Sequence, residues 1–435
     1  MKALFQNIFF KMGVILVLIL ILLIPAFIVQ DLIHERMYRQ KEAVHEVSSK
    51  HADSQEILGP ILTIPYKNVI ADSVEAFSNS STNYFHLLPE NLDIKGTMYP
   101  KKRNRGLFEV IVYAAEAKIE GYFSFDQLEI QGIDKRQLML NDAFLTVGIS
   151  DLKGVRDQID IHLGDTVYKS DPGVISGDIV GSGVNTRVQL DSLPEKLDFM
   201  FDISVNGSEE FTFVPIGKET NVHLNSSWKD PSFDGKFLPN KRKVNENGFS
   251  ADWKVLHINR NYPQGWTGDD YKVRGTSFGV KLQLPVDVYQ KSMRVAKYAI
   301  LFVVLTFLVF FFVEILNKIL IHPIQYILVG LALVLFYVLL LAFSEQIVFD
   351  YAYILSAVMT ISLILFYCRS ILKSWALAAM TASILTILYA FIFILIQIQD
   401  YALLFGSLGI FLILAITMYF SRKVDWFEIS KKQEE

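Results

Sequence analysis

Two acids interrupt one of the most apolar regions of the chain, in the stretch LAFSEQIVFDYAYIL (341–355). Glu345 and Asp350 could form an acid pair that relays protons or cations through a membrane. Alternatively, they bracket a tight turn at which two helices meet water, where acids cost little. We favour the turn, because no further acid, Lys or His lies deep in an apolar stretch, and Lys297 and Glu314 can reach toward the interfaces. The sequence therefore predicts a helical bundle without buried charge.

Metal and nucleotide chemistry have little support from the other motifs. HEVSSKH (45–51) does not have the H-E-x-x-H spacing that places two histidines on one helical face for zinc. DPGVISGDIVGSG (171–183) lacks the G-K-[ST] of a phosphate-binding loop, so we interpret it as a loop between strands. No Ser/His/Asp or Cys/His set at a motif spacing stands out. We therefore predict no enzyme activity, no catalytic residue, no metal and no cofactor.

Three aromatic residues, Trp228, Phe233 and Phe237, cluster among Pro and Gly in SSWKDPSFDGKFLP (226–239). Aromatic side chains stack on sugars or contact protein partners, although near a turn they more often pack on their own domain. The basic clusters KKRNR (101–105) and KRK (241–243) are typical of solvated turns, and anionic headgroups are the alternative ligand. We take the three aromatic residues as candidate contacts for an envelope protein, lipid or glycan.

Composition indicates a chain that is part membrane and part water-soluble. The 435 residues are 52% hydrophobic, with a mean hydropathy of +0.33, yet 20% are charged. Most of the charged residues lie between 31 and 296. A formal net charge of −4 argues against nucleic-acid binding. The single cysteine, Cys368, excludes an intrachain disulfide.

Six apolar stretches meet or approach the roughly 20 residues that a helix needs to cross a bilayer. The first is too long for the apolar part of a signal peptide and has no A-x-A-like site, so we favour an uncleaved anchor. The predicted spans are 12–30, 297–316, 323–344, 351–368, 374–398 and 401–421.

Positive charges in the short loops orient these spans. The turns at Glu345–Asp350 and around Asp400 contain no Lys or Arg. The sequence therefore predicts cytoplasmic termini (1–11 and 422–435) and an extracytoplasmic segment at 31–296. The cations that share the cytoplasmic side are Lys2, Lys11, Lys318, Arg369, Lys373, Arg422 and Lys423.

The extracytoplasmic segment changes its hydrophobic period near residue 51. Residues 31–50 have apolar positions at spacings of four and three, which predicts an amphipathic stalk helix that could pair with another copy in a homo-oligomer. Residues 51–296 contain several stretches of period two, which predicts strands. We predict a hairpin in residues 197–216 (LDFMFDISVNGSEEFTFVPI), with its turn at Asn206-Gly207. We expect a mostly antiparallel, sandwich-like β domain that leads into the second span.

The chain resembles the CreD family of bacterial inner-membrane proteins in four stretches. These are LGPILTIPY (58–66), SSWKDPSFDGKFLP (226–239), KYAILFVVLTFLVFFFVEIL (297–316) and HPIQYILVGLALVLFYVLLLAFSEQIVFDYAYILSAV (322–358). The resemblance implies a location in the cell inner membrane with residues 31–296 in the periplasm. It also implies a role in envelope integrity, tolerance of an E-type colicin and control by the CreBC two-component system. It brings no catalytic residues, but Ser344, Glu345 and Tyr353 belong to its motif.

The leading hypothesis is a non-enzymatic envelope protein. A bundle of six transmembrane helices would hold the β domain outside, where it binds or stabilises another envelope component. The first alternative is a transporter or an accessory subunit of a transport system, which needs a polar path through the spans. A membrane-linked hydrolase is the second alternative, and would need a cluster of intolerant polar positions in the β domain.

Overall fold

The structure, a computed structural model, describes residues 8–67, 82–130, 133–283, 288–317, 319–398 and 401–422. The chain forms two compact units: a helical unit of Met1–Gln40 and Val286–Glu435, and a β unit of Lys41–Pro285. Some predicted features lie outside the described residues. They are Lys2, Lys318, Lys423, the turn at Asp400 and the C-terminal segment beyond Arg422.

The described part of the chain contains eight α-helices: α1 Ile8–His51, α2 Asp126–Ile130, α3 Val288–Lys297, α4 Ala299–Asn317, α5 Pro323–Ser344, α6 Phe349–Leu372, α7 Trp375–Gln397 and α8 Ala402–Ser421. The short helix α2 lies wholly within the β unit. Five of the eight helices, α1 and α4 to α7, are long and apolar enough to cross a membrane. In α8, which covers the predicted sixth span, the described side chains Leu403–Tyr419 form a shorter apolar helix.

Local capping sets the helix ends. Pro323 occupies the first turn of α5, where its missing N–H costs nothing, and the His322 side chain accepts from the N–H of Ile324. Ser374 caps α7 by accepting from the N–H of Leu377. Lys373, just before that cap, adopts a left-handed φ of 49°, which ends α6 and turns the chain. The connection between α6 and α7 is therefore tight.

The β unit contains two mixed sheets. The strands are β1 Gln55–Lys67, β2 Thr82–Leu87, β3 Asn91–Arg105, β4 Phe108–Phe123, β5 Phe144–Ile149, β6 Asp160–Leu163, β7 Thr166–Lys169, β8 Asp171–Pro172, β9 Gly183–Arg187, β10 Leu197–Ser208, β11 Glu210–Phe213, β12 Glu219–Ser226, β13 Pro231–Gly235, β14 Lys241–Asn245, β15 Gly248–Leu256, β16 Gly265–Thr267 and β17 Phe278–Leu282. Short 3-10 helices cover Lys135–Gln137, Leu140–Asp142, Leu152–Gly154 and His257–Asn259.

One sheet has the order β13-β17-β11-β1-β5-β9-β8, and β2 pairs with both β1 and β16. The other has the order β14-β15-β12-β3-β4-β10-β6-β7. Most neighbours are antiparallel, as predicted, but β1 pairs with β11 and β12 with β3 in parallel. Buried residues of both sheets belong to one hydrophobic core, as sheet-on-sheet packing produces. The β unit is thus a large mixed β-sheet domain.

The predicted hairpin at 197–216 is wrong, although both of its strands exist. β10 continues through Asn206-Gly207 to Ser208 and pairs with β4 along its whole length, whereas β11 belongs to the other sheet. The chain turns at Glu209, which has a φ of 57°. Gly207 is required for packing and not for a turn, because a Cβ there would overlap the phenol of Tyr113. That phenol donates to the carbonyl of Glu210 at 2.5 Å. The hydrogen bond links β4 to the segment where the chain passes from one sheet to the other.

Candidate functional site

The predicted residue Glu345 lies at the C-terminal end of α5 and joins three helices. Its Oε1 lies 3.6 Å from Nε of Arg36 on α1. The same oxygen accepts a hydrogen bond from the Tyr289 hydroxyl on α3 at 3.2 Å. The Glu345 side chain is only 10% exposed, so the charge of Arg36 is the compensation that a largely buried carboxylate needs.

Asp350 has a separate partner. It lies in the first turn of α6, where the helix dipole favours a negative charge. Nε2 of Gln397, at the end of α7, donates to its Oδ1 at 2.9 Å. Beside it, Nζ of Lys291 lies 5.3 Å from the centroid of the Phe349 ring. Each of the two predicted carboxylates therefore bonds to a helix other than its own, and each has a different partner.

Ser344 and Tyr353, the other predicted residues in this region, are buried. The Ser344 hydroxyl donates to the carbonyl of Leu341 within its own helix at 2.9 Å. The Tyr353 hydroxyl donates to the carbonyl of Tyr389 on α7 at 2.8 Å. The Tyr353 ring contacts aromatic rings from three helices: Phe336, Phe349, Tyr389 and Phe393. Tyr353 thus joins α6 to α7 and α5 by packing as well as by a hydrogen bond.

A second ion pair, which the sequence did not predict, lies at the other end of α5. Glu314 of α4 is 4% exposed and pairs with Lys11 of α1. Its carboxylate also accepts from the Tyr326 hydroxyl at 3.0 Å and from the N–H of Ile321 at 2.8 Å. The expectation of a bundle without buried charge is therefore wrong at this position. The predicted orientation offered a signal, since it placed Lys11 and the end of α4 at the same face of the membrane.

The two ion pairs fix α1 at both ends of its apolar stretch. About 37 Å of helix separates Lys11 from Arg36, at a rise of about 1.5 Å per residue. This length slightly exceeds the roughly 30 Å of a hydrocarbon core. Both pairs therefore suit positions close to the two membrane interfaces.

The three predicted aromatic residues of the β unit pack mainly on their own domain. Phe233 contacts the rings of Phe249 and Trp253 edge-on, with centroid distances of 5.6 and 5.8 Å. Phe237 meets the Phe278 ring at 6.0 Å. Nε1 of Trp228 donates to the carbonyl of Gln283 at 3.0 Å, next to β17. All three side chains are half-buried, so each also keeps one side toward solvent.

The β unit contains two buried polar centres that sequence reasoning missed. His86 is 2% exposed, with Nδ1 at 2.9 Å from the Thr63 hydroxyl and Nε2 at 3.1 Å from a carboxylate oxygen of Asp178. Burial lowers the pKa of His86 below its ordinary value, although Asp178 opposes the shift. His86 belongs to no recognisable motif, Asp178 lies in the glycine-rich stretch 171–183, and no local spacing joins the two.

Arg260 is the other buried centre. Its guanidinium donates to the carbonyls of Tyr262 and Ile216 at 2.7 and 3.0 Å, and it also bonds to Gln264. Burial lowers the pKa of Arg260 to about 10. Its Nη1 and Nη2 donors bond to backbone and amide oxygens, so Arg260 holds the segment after β11 against the 260–264 loop. No group of His, Cys, Asp or Glu suited to hold a metal occurs among the described residues.

The helices and the β unit together define an integral membrane protein with several spans and a large mixed β domain. The family model of the inner membrane protein CreD matches residues 7–427. The inner membrane protein CreD of Escherichia coli (strain K12) is 29% identical over 427 residues, which are 97% of this chain and 94% of that protein. The chain belongs to the CreD family and is a multi-pass inner-membrane protein.

Proposed function

We propose that this protein supports the integrity of the cell envelope without catalysing a reaction. Its helical unit is an anchor, and its β domain binds or stabilises another envelope component. The observation that supports this proposal is that Glu345 and Asp350 both bond to other helices. Each carboxylate is bonded to a neighbouring helix, Glu345 to α1 and α3 and Asp350 to α7. Such contacts favour a fixed anchor over a proton or cation path, because both carboxylates lie at helix ends and each already bonds to a neighbouring helix.

The proposed topology has six spans, with both termini in the cytoplasm and residues 31–296 in the periplasm. The cation count of the short loops supports it. The helix α8 supports the sixth span, since its 20 residues rise about 30 Å. At the proposed cytoplasmic face, the Arg369 guanidinium lies 5.3 Å from the Trp375 ring, which is typical of side chains at a membrane interface.

The aromatic turn, residues 226–239, is the proposed contact surface for an envelope protein, lipid or glycan. Trp228, Phe233 and Phe237 form its half-buried base. Leu238 beside them is 67% exposed and extends the apolar surface of the turn into solvent. The Arg242 guanidinium lies 5.9 Å from the Phe233 ring and adds a positive charge. The surface thus combines an apolar anchor with a cation.

Photocross-linking from Leu238 tests this proposal. A photoreactive amino acid at Leu238 in full-length protein should give one specific adduct in cells. The control position is Leu107, in the β3–β4 turn, which is 56% exposed and lies outside the surface. In parallel, a deletion strain should become sensitive to membrane stress and should recover with the wild-type chain. Absence of an adduct from Leu238, together with normal stress tolerance of the deletion strain, would contradict the proposal.

A further inference from the structure

A pocket of about 300 Å³ opens in the β unit beside the glycine-rich loop 171–183. This volume is at the small end of the range for small-molecule sites. Strands β1 and β5 supply one wall, and the end of the loop supplies another. The lining residues are Glu56, Leu58, Gly148, Ile149, Ser150, Val180, Gly181, Ser182 and Arg274.

The walls of this pocket are held in place by the fold. The N–H of Ile149 donates to the carbonyl of Ser182 at 3.1 Å, which attaches the loop to β5. Gly148 lets Val180 and Leu58 approach, since a Cβ there would lie 3.0 Å from Val180 Cγ1 and 3.2 Å from Leu58 Cβ. The Ser150 hydroxyl donates to the carbonyl of Ser54 at 2.8 Å. The pocket is therefore formed before any ligand arrives.

Its two charged side chains have opposite signs. Nη2 of Arg274 lies 3.7 Å from the position that a Cβ of Gly181 would occupy, so the guanidinium lies at the loop wall. Glu56 belongs to β1, on the other wall. Among the ion pairs of the described residues, Arg274 and Glu56 do not pair with each other. A guanidinium matches a carboxylate geometrically, and a carboxylate binds an ammonium group.

We propose that this pocket binds a short peptide by its free carboxylate and its free ammonium group. Arg274 binds the carboxylate, Glu56 binds the ammonium group, and an aliphatic side chain packs against Leu58 and Val180. The inference rests on the proposed function, because it gives the chemistry of one envelope component that the β domain recognises. It assigns a binding role to the glycine-rich loop, whose residues Val180–Ser182 form one wall.

Three probes test the ammonium group and the carboxylate of the ligand separately: dialanine, N-acetyl-dialanine, which lacks the ammonium group, and dialanine amide, which lacks the carboxylate. Saturation-transfer NMR with full-length protein in phosphatidylcholine nanodiscs gives the relative affinities. Each capped probe should bind about fivefold more weakly than dialanine, which is the effect of losing one partly exposed ion pair. Arg274→Gln should remove the difference between dialanine and its amide. Glu56→Gln should remove the difference between dialanine and the acetylated probe.

Two glycines of the same loop provide a matched pair of variants. Gly181 lines the pocket, whereas a Cβ at Gly177 would meet nothing within 4 Å. Neither has a φ in the left-handed region, so an added side chain does not strain the backbone at either position. Gly181→Val should abolish dialanine binding, and Gly177→Val should leave it unchanged at the same thermal stability. Equal binding of all three probes, or equal loss in both valine variants, would overturn the inference.

The inference and the proposed function fail in different ways. If the wild-type chain restores stress tolerance and gives the Leu238 adduct but does not bind dialanine, the peptide pocket is refuted and the envelope role stands. If the deletion strain has no phenotype and no adduct forms, the envelope role is refuted whatever the peptide result.

Discussion

Removing the positive charge of Lys11 should destabilise the helical unit strongly. In Lys11→Met, the carboxylate of Glu314 keeps two neutral donors, the Tyr326 hydroxyl and the N–H of Ile321, but loses its counter-ion. The side chains of the pair are only 12% and 4% exposed, so water replaces little of the lost interaction. Breaking a buried pair from one side costs about 3 kcal/mol or more. This corresponds to a fall in Tm of about 6–12 °C for a unit of this size.

The native thiol of Cys368 provides the assay. It is fully buried in the helical unit, so a thiol-reactive dye reports the unfolding of that unit during a thermal ramp in nanodiscs. The double variant Lys11→Met/Glu314→Gln should recover most of the stability that Lys11→Met loses. The amide oxygen of the new glutamine still accepts from Tyr326, and no charge is left buried. Arg39→Met breaks an exposed pair with Glu35 on the same helix and should leave the Tm unchanged.

The result that would refute this reasoning is a single variant as stable as the wild type. Equal losses in Lys11→Met and in the double variant would also refute it. Either outcome would mean that Glu314 does not depend on Lys11 for its charge compensation.

The β domain gives two further predictions, which denaturant unfolding of the full-length protein can check. The lowered pKa of His86 means that the unfolded chain takes up a proton below the ordinary value of 6.5 while the folded chain does not. Stability should therefore fall as the pH drops through that range, and His86→Gln should flatten this dependence; an equally steep profile in the variant would exclude His86 as its source. Gly207→Ala should cost about 1–3 kcal/mol, because the new methyl group overlaps Tyr113, whereas Gly177→Ala should be neutral. Equal stability of the two alanine variants would contradict the close approach of Tyr113.

The sequence predicts the parts of the fold that local patterns determine. The bounds of α5 agree with the predicted span 323–344, because a proline and an apolar run define one end and the polar turn at Glu345 defines the other. In β10 the alternation from Leu197 to Val205 correctly identified a half-buried strand. The same period-two signal cannot show which strand lies beside it, so the parallel pairs β1–β11 and β12–β3 were not predicted.

Features that depend on distant partners could not be predicted in the same way. Lys11 and Glu314 are 303 residues apart, so no spacing rule joins them. The pair Asn206-Gly207 is typical of a hairpin turn. Residue 207 is glycine for another reason, because the buried Tyr113 on a neighbouring strand leaves no room for a Cβ. In the helical unit, the sequence identified Glu345 as a residue of interest. Its partners Arg36 and Tyr289 could be identified only from the packing of three helices in the structure.

Accessibility of two engineered cysteines tests the proposed topology most directly. In a Cys368→Ala background, Leu107→Cys lies in the β domain and Leu320→Cys lies between α4 and α5, and both leucines are exposed. A membrane-impermeant maleimide added to intact spheroplasts should label Leu107→Cys at once and Leu320→Cys only after permeabilisation. Labelling in the opposite order would place the β domain in the cytosol and contradict the account.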